Sequence, residues 1–383
     1  RTPSAIVTST NRGTTGNGGN INIETGKLSV RDGGQVGSAT YGAGSAGNLS
    51  IKAKDSVELV GAFGQAPSSI IAASQPGSTG NGGSVALETE RLSIRDGAVL
   101  GVGTIGSGSA GSLSVKARDA VELAGTTIDG RPSRLSVRTA ATGNAGDLVI
   151  ETERLTVRDG ASVTATSEGS GRAGQMRIRA NSIYLNNRGK LEAETSPGEG
   201  GNIFLNSQNL QLRNGSTISA TAGLAGGGGN GGNVIIDTDS LAAVNRSSIT
   251  ANAFTGRGGN IQITTQGIFQ SPDSIFDASS QFGVDGTVEV RSLGLEPDEA
   301  LVPYNKVFIP MEEVVKNSCF ARRNKKQARL AIAGNGGLPA GPRDSVMPMP
   351  LFSAEGLEEK SPPPSSPAPV SYTHLRAHET DSY

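Results

Sequence analysis

Gly201-Asn202-Ile203-Phe204-Leu205, then Asn209-Leu210-Gln211-Leu212-Arg213-Asn214-Gly215, then Thr217-Ile218-Ser219-Ala220, is the stretch that decides the fold. Its apolar residues fall two and four places after Gly201, then nine and eleven, then seventeen. Each pair alternates with period two, the signature of a half-buried strand. The same offsets recur as Leu148, Ile150, Leu155, Val157 and Val163 after Gly146, and as Met176, Ile178, Ile183, Leu185 and Leu191 after Gly174.

Working outward, copies start at Gly19, Gly47, Gly83, Gly111, Gly146, Gly174, Gly201, Gly232, Gly259 and Gly286, at separations of 28, 36, 28, 35, 28, 27, 31, 27 and 27 residues. The base period is 27 to 28 residues, with insertions. Three short strands per copy cannot bury their apolar faces alone, because each offers only two or three inward side chains. Stacking the copies solves this: equivalent strands pair in parallel roughly 4.8 Å apart and their Ile, Leu and Val form one column. The fold class predicted is all-β, a right-handed parallel β-helix of about ten coils, a rod on the order of 50 Å long at that rise.

Two further columns belong to a stack. Ala recurs at Ala165, Ala193, Ala220, Ala251 and Ala278, as an inward corner without room for bulk requires, and Asn recurs at Asn20, Asn48, Asn202, Asn233 and Asn260, where side-chain amides can bond from coil to coil. After the second apolar pair stand Arg31-Asp32-Gly33, Arg95-Asp96-Gly97, Arg158-Asp159-Gly160 and Arg213-Asn214-Gly215. Asp-Gly and Asn-Gly supply the positive φ of a tight corner, so these residues are read as turns rather than as an Arg and Asp row for polysaccharide cleavage.

Composition agrees with a repetitive core. The 383 residues include 55 Gly, no Trp and 4% aromatics, and only 35% are hydrophobic, too little for bulk globular packing. With 34 basic and 35 acidic residues, the net charge of -1 favours neither nucleic acid nor an anionic membrane. No apolar run reaches the roughly 18 residues of a membrane helix. Lone Cys319 excludes an internal disulfide and is read as a packed or capping residue.

Residues 1–290 are assigned to the β-helix. Ser4-Ala5-Ile6-Val7-Thr8-Ser9 matches the third strand Ala161-Ser162-Val163-Thr164-Ala165-Thr166, so the chain is expected to start inside a coil, with its own N-terminus and any export signal upstream. The bulk of Phe269, Phe276 and Phe282 is read as a closing cap. Residues 291–345 form a non-repeat extension whose basic run, Arg322, Arg323, Lys325, Lys326 and Arg329, is read as a solvated helix face. Residues 346–369 are a disordered Pro/Ser-rich tail, and 370–383, VSYTHLRAHETDSY, resembles the conceptual translation of a sequencing adapter.

Both histidines, His374 and His378, lie in that last segment. A Ser/His/Asp or Cys/His pair and the usual zinc sets are therefore excluded from the rest. The glycines from Gly226 to Gly232 lack the calcium-binding nonapeptide, and no Gly-Lys-Ser or Gly-Lys-Thr phosphate loop occurs. Asp129, Asp147, Asp237 and Asp239 leave carboxylate chemistry open without clustering, and Thr164, Thr166 and Thr250 are as ordinary for an outward strand face as for a ligand row. No catalytic, cofactor-binding or metal-binding residue is assigned, and no cofactor.

The phrases LSVRDGGQVGSAT, LSIRDGAVLGVGT, LTVRDGASVTATS and LQLRNGSTISATA, each behind a GGN-type start, resemble the repeats of cyanobacterial filamentous haemagglutinin-like exoproteins over roughly residues 4 to 290. LAIAGNGGLPAGP, residues 330 to 342, is similar to the Gly-Gly-Leu-Pro ending of such proteins. The resemblance implies a two-partner secretion substrate: an extracellular or outer-membrane-surface rod, carried out by an outer-membrane transporter and retained as an adhesin without inserting in the membrane. The receptor, a surface glycan or a protein, stays open.

On this reading the rod is a non-catalytic attachment protein. Its contacts are expected in the insertions at Ala62 to Ser78, Thr126 to Arg138 and Gly223 to Gly231, since long loops on a regular scaffold carry binding. The alternative is a β-helix polysaccharide lyase or hydrolase, which would need a side-face cleft where carboxylates and basic residues converge.

Overall fold

The computed structural model describes residues 3–223 and 226–292. Cys319, the basic run, the Gly-Gly-Leu-Pro segment and the tail lie outside the described residues. Within them the chain is a parallel β-helix of two ten-stranded sheets. The long-strand sheet stacks Ile21–Arg31, Leu49–Val60, Val85–Arg95, Leu113–Ala124, Leu148–Arg158, Met176–Asn186, Ile203–Arg213, Val234–Val244, Asn260–Gln270 and Thr287–Ser292. The short-strand sheet stacks Ala5–Ser9, Gln35–Thr40, Ser69–Ser74, Val99–Thr104, Arg134–Thr139, Ser162–Ser167, Lys190–Glu192, Thr217–Ser219, Ser248–Thr250 and Ile275–Asp277. Ala5–Ser9 takes the third-strand place its sequence indicates.

Three apolar stretches per coil were expected to be three strands. Instead the first two run together into one long bent strand. Between Leu87 and Leu92 the inward positions change phase, with Glu88 and Glu90 to Arg91 turned outward, yet the backbone keeps its ladder to the neighbouring coils on both sides of the bend. In Leu49–Val60 and Leu113–Ala124 one extra residue sits at this bend and appears as a register shift.

The core is the predicted column. Leu148, Ile150, Leu155, Val157 and Val163 are fully enclosed, as are Ile203, Leu210, Leu212 and Ile218. Burying one such side chain stabilises by about 1.5 to 3 kcal/mol. Ala165, Ala193, Ala220 and Ala251 are also fully buried, although the same inward place is Val102 and Val137 in earlier coils, so the column is small rather than strictly Ala.

Three devices close the corners. After six of the ten long strands two consecutive residues take positive φ, among them Asp96 and Gly97 at 58° and 84°, Asp159 and Gly160 at 57° and 78°, and Asn214 and Gly215 at 55° and 71°, while after Leu49–Val60 and Leu113–Ala124 a single glycine, Gly61 or Gly125, does so. At the opposite corner the backbones approach so closely that only glycine fits: a Cβ on Gly146 would lie 2.1 Å from the Gly111 carbonyl oxygen, and one on Gly174 1.9 Å from that of Gly146. Inward hydroxyls satisfy the carbonyls there, as Ser74 Oγ does by donating to Gly80 O at 2.7 Å and Thr40 Oγ1 to Gly44 O at 2.6 Å.

The Asn column works differently from an amide-to-amide ladder. Asn20 Oδ1 accepts the Asn48 backbone N–H at 2.8 Å, Asn48 Oδ1 that of Ser84, and Asn202 Oδ1 that of Asn233. Amide-to-amide bonding occurs instead at the positive-φ corner, where Asn214 Nδ2 donates to Asn186 Oδ1 at 2.8 Å and Asn245 Nδ2 to Asn214 Oδ1 at 2.9 Å.

The Phe-rich last coil also departs from expectation. Phe276 alone packs against the core, opposite Ile249. Phe269 falls on the outward register opposite Ala242, because Ile268 takes the inward place, and Phe282 meets Phe254 edge-on at 5.1 Å outside the column.

From Gly19 to Ala173, two kinds of coil alternate. Coils beginning at Gly19, Gly83 and Gly146 carry Glu24, Glu88 and Glu151 at the bend, whereas those at Gly47 and Gly111 carry Lys52 and Lys116 in register with them. Lys52 meets Glu88 at 4.0 Å, Lys116 meets Glu151 at 3.5 Å and Arg118 meets Glu90 at 3.1 Å. Further along the same strands, Glu58 is gripped by Arg31 and by Arg95, the latter at 2.5 Å, while Arg158 holds Glu122 at 2.8 Å. That is why the Arg-Asp-Gly corner appears in every second coil: each Arg answers a Glu in the coil between. Exposed pairs contribute little stability each, but like charges stacked opposite one another repel, so the pattern selects which coil sits on which.

Candidate functional site

Two features break the regular surface. The first is a ridge at the positive-φ corner. Of the expected insertions, 62–78 and 126–138, only the first parts are loops, because Ser69–Ser74 and Arg134–Thr139 are ordinary short strands with Ile70, Leu135 and Val137 buried in the core. The inserted loops are 61–68 and 125–133. Both are closed at the base by one bond, Ser68 N–H to Gly61 O at 2.9 Å and Ser133 N–H to Gly125 O at 3.0 Å. The buried hydroxyls of Ser68 and Ser133 receive the N–H of Gly33 and Gly97 from the preceding coil and donate to Val60 O and Ala124 O, which pins each loop to its neighbour.

The two loops stand two coils apart and lean together across the tight turn at Asp96-Gly97. Arg131 Nη1 donates to Gln65 O at 2.7 Å and Nη2 to Gly64 O at 3.1 Å, while its Nε bonds Asp129 at 3.0 Å. Phe63 is left half exposed and Ile128 fully exposed. In the third insertion, 223–231, Gly223, Gly226 and Gly229 take positive φ and Phe254 lies against Gly223.

The second feature is a trough of about 420 Å³ on the outward face of the short-strand sheet. Parallel register sets three rows side by side: Arg134, Ser136 and Arg138; Ser162, Thr164 and Thr166; Lys190, Glu192 and Glu194. The middle row is a floor of hydroxyls, with Thr164 Oγ1 donating to Ser136 Oγ at 2.9 Å. Most of the charges are paired. Arg138 Nε donates to Glu168 at 2.7 Å, with a second bond from Nη2, and Lys190 Nζ donates to Glu192 at 2.9 Å. Arg134 is in no ion pair among the described residues, and its Nε is buried without a partner.

Glu194 is the most perturbed carboxyl. Burial pushes it up to about 7, against a hydrogen bond from Ser219 Oγ that lowers it, and the charge of Glu192 adds to the rise. Arg134 is lowered by burial and by the nearby charge of Arg138, with Glu168 opposing. A carboxyl poised near neutrality beside a second one on the same strand face can exchange a proton at neutral pH.

The four aspartates weighed from sequence do not converge. Asp129 caps the ridge, Asp147 Oδ1 accepts the Gln175 N–H in the coil-start ladder, Asp237 meets Asn206 and Asp239 meets Gln266. Thr164 and Thr166 do enter the trough, and Thr250 lies farther along the same face, 3.4 Å from Thr221. Glu192, Glu194 and Arg134 escaped the sequence reading. Their signal was present in Lys190-Leu191-Glu192-Ala193-Glu194, where two carboxylates occupy outward places that are Thr164 and Thr166 one coil earlier.

A larger groove, about 720 Å³, follows the bend of the long strands past Glu24, Lys52, Glu88, Lys116 and Glu151. Its facing charges come from successive coils of opposite type, so it is a consequence of coil pairing. No helix among the described residues is long and apolar enough to cross a membrane. No protein-family model, curated protein or solved structure matches this chain.

Proposed function

We propose that this chain is the rod of a surface-displayed or secreted adhesin-like protein that attaches through its side face and does not cleave what it binds. The observation that supports this most is the clasped ridge. Nearly every repeated residue has a stacking role, whereas loops 61–68 and 125–133 add nothing to the core, are pinned at their bases, and present Phe63 and Ile128 outward. Two-partner secretion through an outer-membrane transporter is part of the same proposal and rests on the resemblance of the repeats.

The test is a loop replacement. Residues 125–133 are exchanged for Asn-Gly-Ser, the turn found at Asn214-Gly215-Ser216, which spares strand Arg134–Thr139 and keeps a serine hydroxyl in the place of Ser133. Deleting through residue 138 would instead remove the core residues Leu135 and Val137. The variant is expected to unfold at the wild-type urea concentration and to lose retention on cell or glycan-coated surfaces. Equal retention by the two proteins refutes the attachment role of the ridge.

A second reading is favoured by one observation, the raised Glu194 beside Glu192. On that reading the trough hydrolyses a glycan, with Glu194 as the proton donor. Release of reducing ends from polysaccharide by the wild type, lost in Glu194→Gln, would replace the non-catalytic proposal with this one.

A further inference from the structure

We propose that the trough on the short-strand face is a binding subsite for an anionic oligosaccharide, with Arg134 receiving the acidic group and the hydroxyl floor of Ser162, Thr164 and Thr166 receiving sugar hydroxyls. This deepens the attachment reading by naming a ligand class for the rod's side face.

Arg138 is committed to Glu168 and Lys190 to Glu192, so each of these pairs is locally neutral. What remains is Glu194, which accepts a hydrogen bond from Ser219 Oγ, and the Arg134 guanidinium, which forms no ion pair among the described residues and has a buried, unbonded Nε. Nε is enclosed, but Nη1 and Nη2 are not and make no hydrogen bond among the described residues, so they are the donors a bound acceptor can reach. Guanidinium also matches carboxylate and sulfate groups through its planar fork of donors.

The remaining lining specifies the rest of the ligand. Ser136, Ser162, Thr164 and Thr166 can donate or accept, and Glu168, Glu192 and Glu194 only accept when ionised. A polyhydroxylated chain with one acid group matches that mixture. Nucleic acid, with a phosphate at every step, would meet three glutamates. The volume falls within the range of small-ligand sites. The rows are roughly 4.8 Å apart and residues 134 to 138 span about 13 Å along the strand, which suits an oligomer better than a single ion.

The experiment uses the full 383-residue chain and isothermal titration with three probes: a tetrasaccharide carrying a single uronic acid, a tetrasaccharide carrying a single sulfate ester, and the neutral maltotetraose. Saturable binding of one or both anionic probes with no binding of the neutral one is expected, and which of the two binds distinguishes carboxylate from sulfate. Arg134→Gln should weaken that binding by at least about tenfold, equivalent to ~1.4 kcal/mol. Thr166→Glu, which adds negative charge to the floor without touching the core, should do the same. Arg31→Gln, outside the trough, should bind as wild type. The proposal is overturned if no anionic probe binds, if maltotetraose binds equally, or if both trough variants bind like wild type. These outcomes are separable from the ridge test, since the titration is made on the chain with both loops intact and the trough variants leave the ridge in place.

Discussion

Replacing Gly146 with Ala puts one methyl group where the stack has no space. The new Cβ would lie 2.1 Å from Gly111 O and 2.6 Å from Gly111 C, both backbone atoms of the preceding coil, so no side chain can swing aside. Relief requires moving the two coils apart locally by roughly an ångström, given carbon-to-oxygen contacts of about 3.3 Å. That displacement strains the bonds between these two coils on either side, Ala110 N–H to Asn144 O at 3.0 Å and Leu113 N–H to Asp147 O at 2.9 Å. Overpacking costs about 1 to 3 kcal/mol and each weakened bond about 1 kcal/mol, so the expected loss is about 3 kcal/mol. Urea unfolding followed by circular dichroism measures it. Two controls separate crowding from backbone conformation. Gly61→Ala keeps open space but has φ of 72°, and should cost about 1 kcal/mol. Gly267→Ala has neither crowding nor positive φ and should change stability by less than about 0.5 kcal/mol. If Gly146→Ala unfolds at the same urea concentration as Gly267→Ala, the close-approach account of the glycine column is wrong.

Two other perturbations probe charge. Because folded Glu194 holds its proton up to about 7 against an ordinary 4.5, its contribution to stability is full below about pH 4.5 and is lost as pH rises to about 7; Glu194→Gln should flatten that slope and gain ~3 kcal/mol near pH 8, and a wild-type urea midpoint with the same pH dependence as the variant would contradict it. Glu58→Lys sets a third cation between Arg31 and Arg95 and should lower stability by about 1 to 2 kcal/mol, with most of the loss recovered in about 1 M salt, where the Debye length is roughly 3 Å. A salt-independent loss would point to packing instead of charge.

The coil architecture was legible because inward positions repeat at fixed offsets from a glycine, and a column such as Leu155, Ile183 and Leu210 needs no knowledge of the surroundings to be recognised. The bend between the two halves of each long strand was not, since Glu88-Thr89-Glu90-Arg91 contains no glycine or proline and looks like a break only in hydrophobic phase. The loop boundaries were misplaced for a related reason: Ser69–Ser74, Ser-Ile-Ile-Ala-Ala-Ser, carries apolar residues on both faces, which hides its alternation inside a long copy. Residues of the trough are scattered over 134 to 194 and meet only through register, so their convergence is a property of the stack and not of any one segment.

The alternation of acidic and basic bends also sets a rule for how such a rod can change length over generations. From Gly19 to Gly83 is 64 residues and from Gly83 to Gly146 is 63, each a complementary couple of coils. Duplicating one couple preserves every facing charge, whereas losing or copying a single coil would set Glu on Glu or Lys on Lys at the new junction. In genetic terms the heritable unit in this part of the rod is the couple, and tandem repeats there should expand and contract by even numbers.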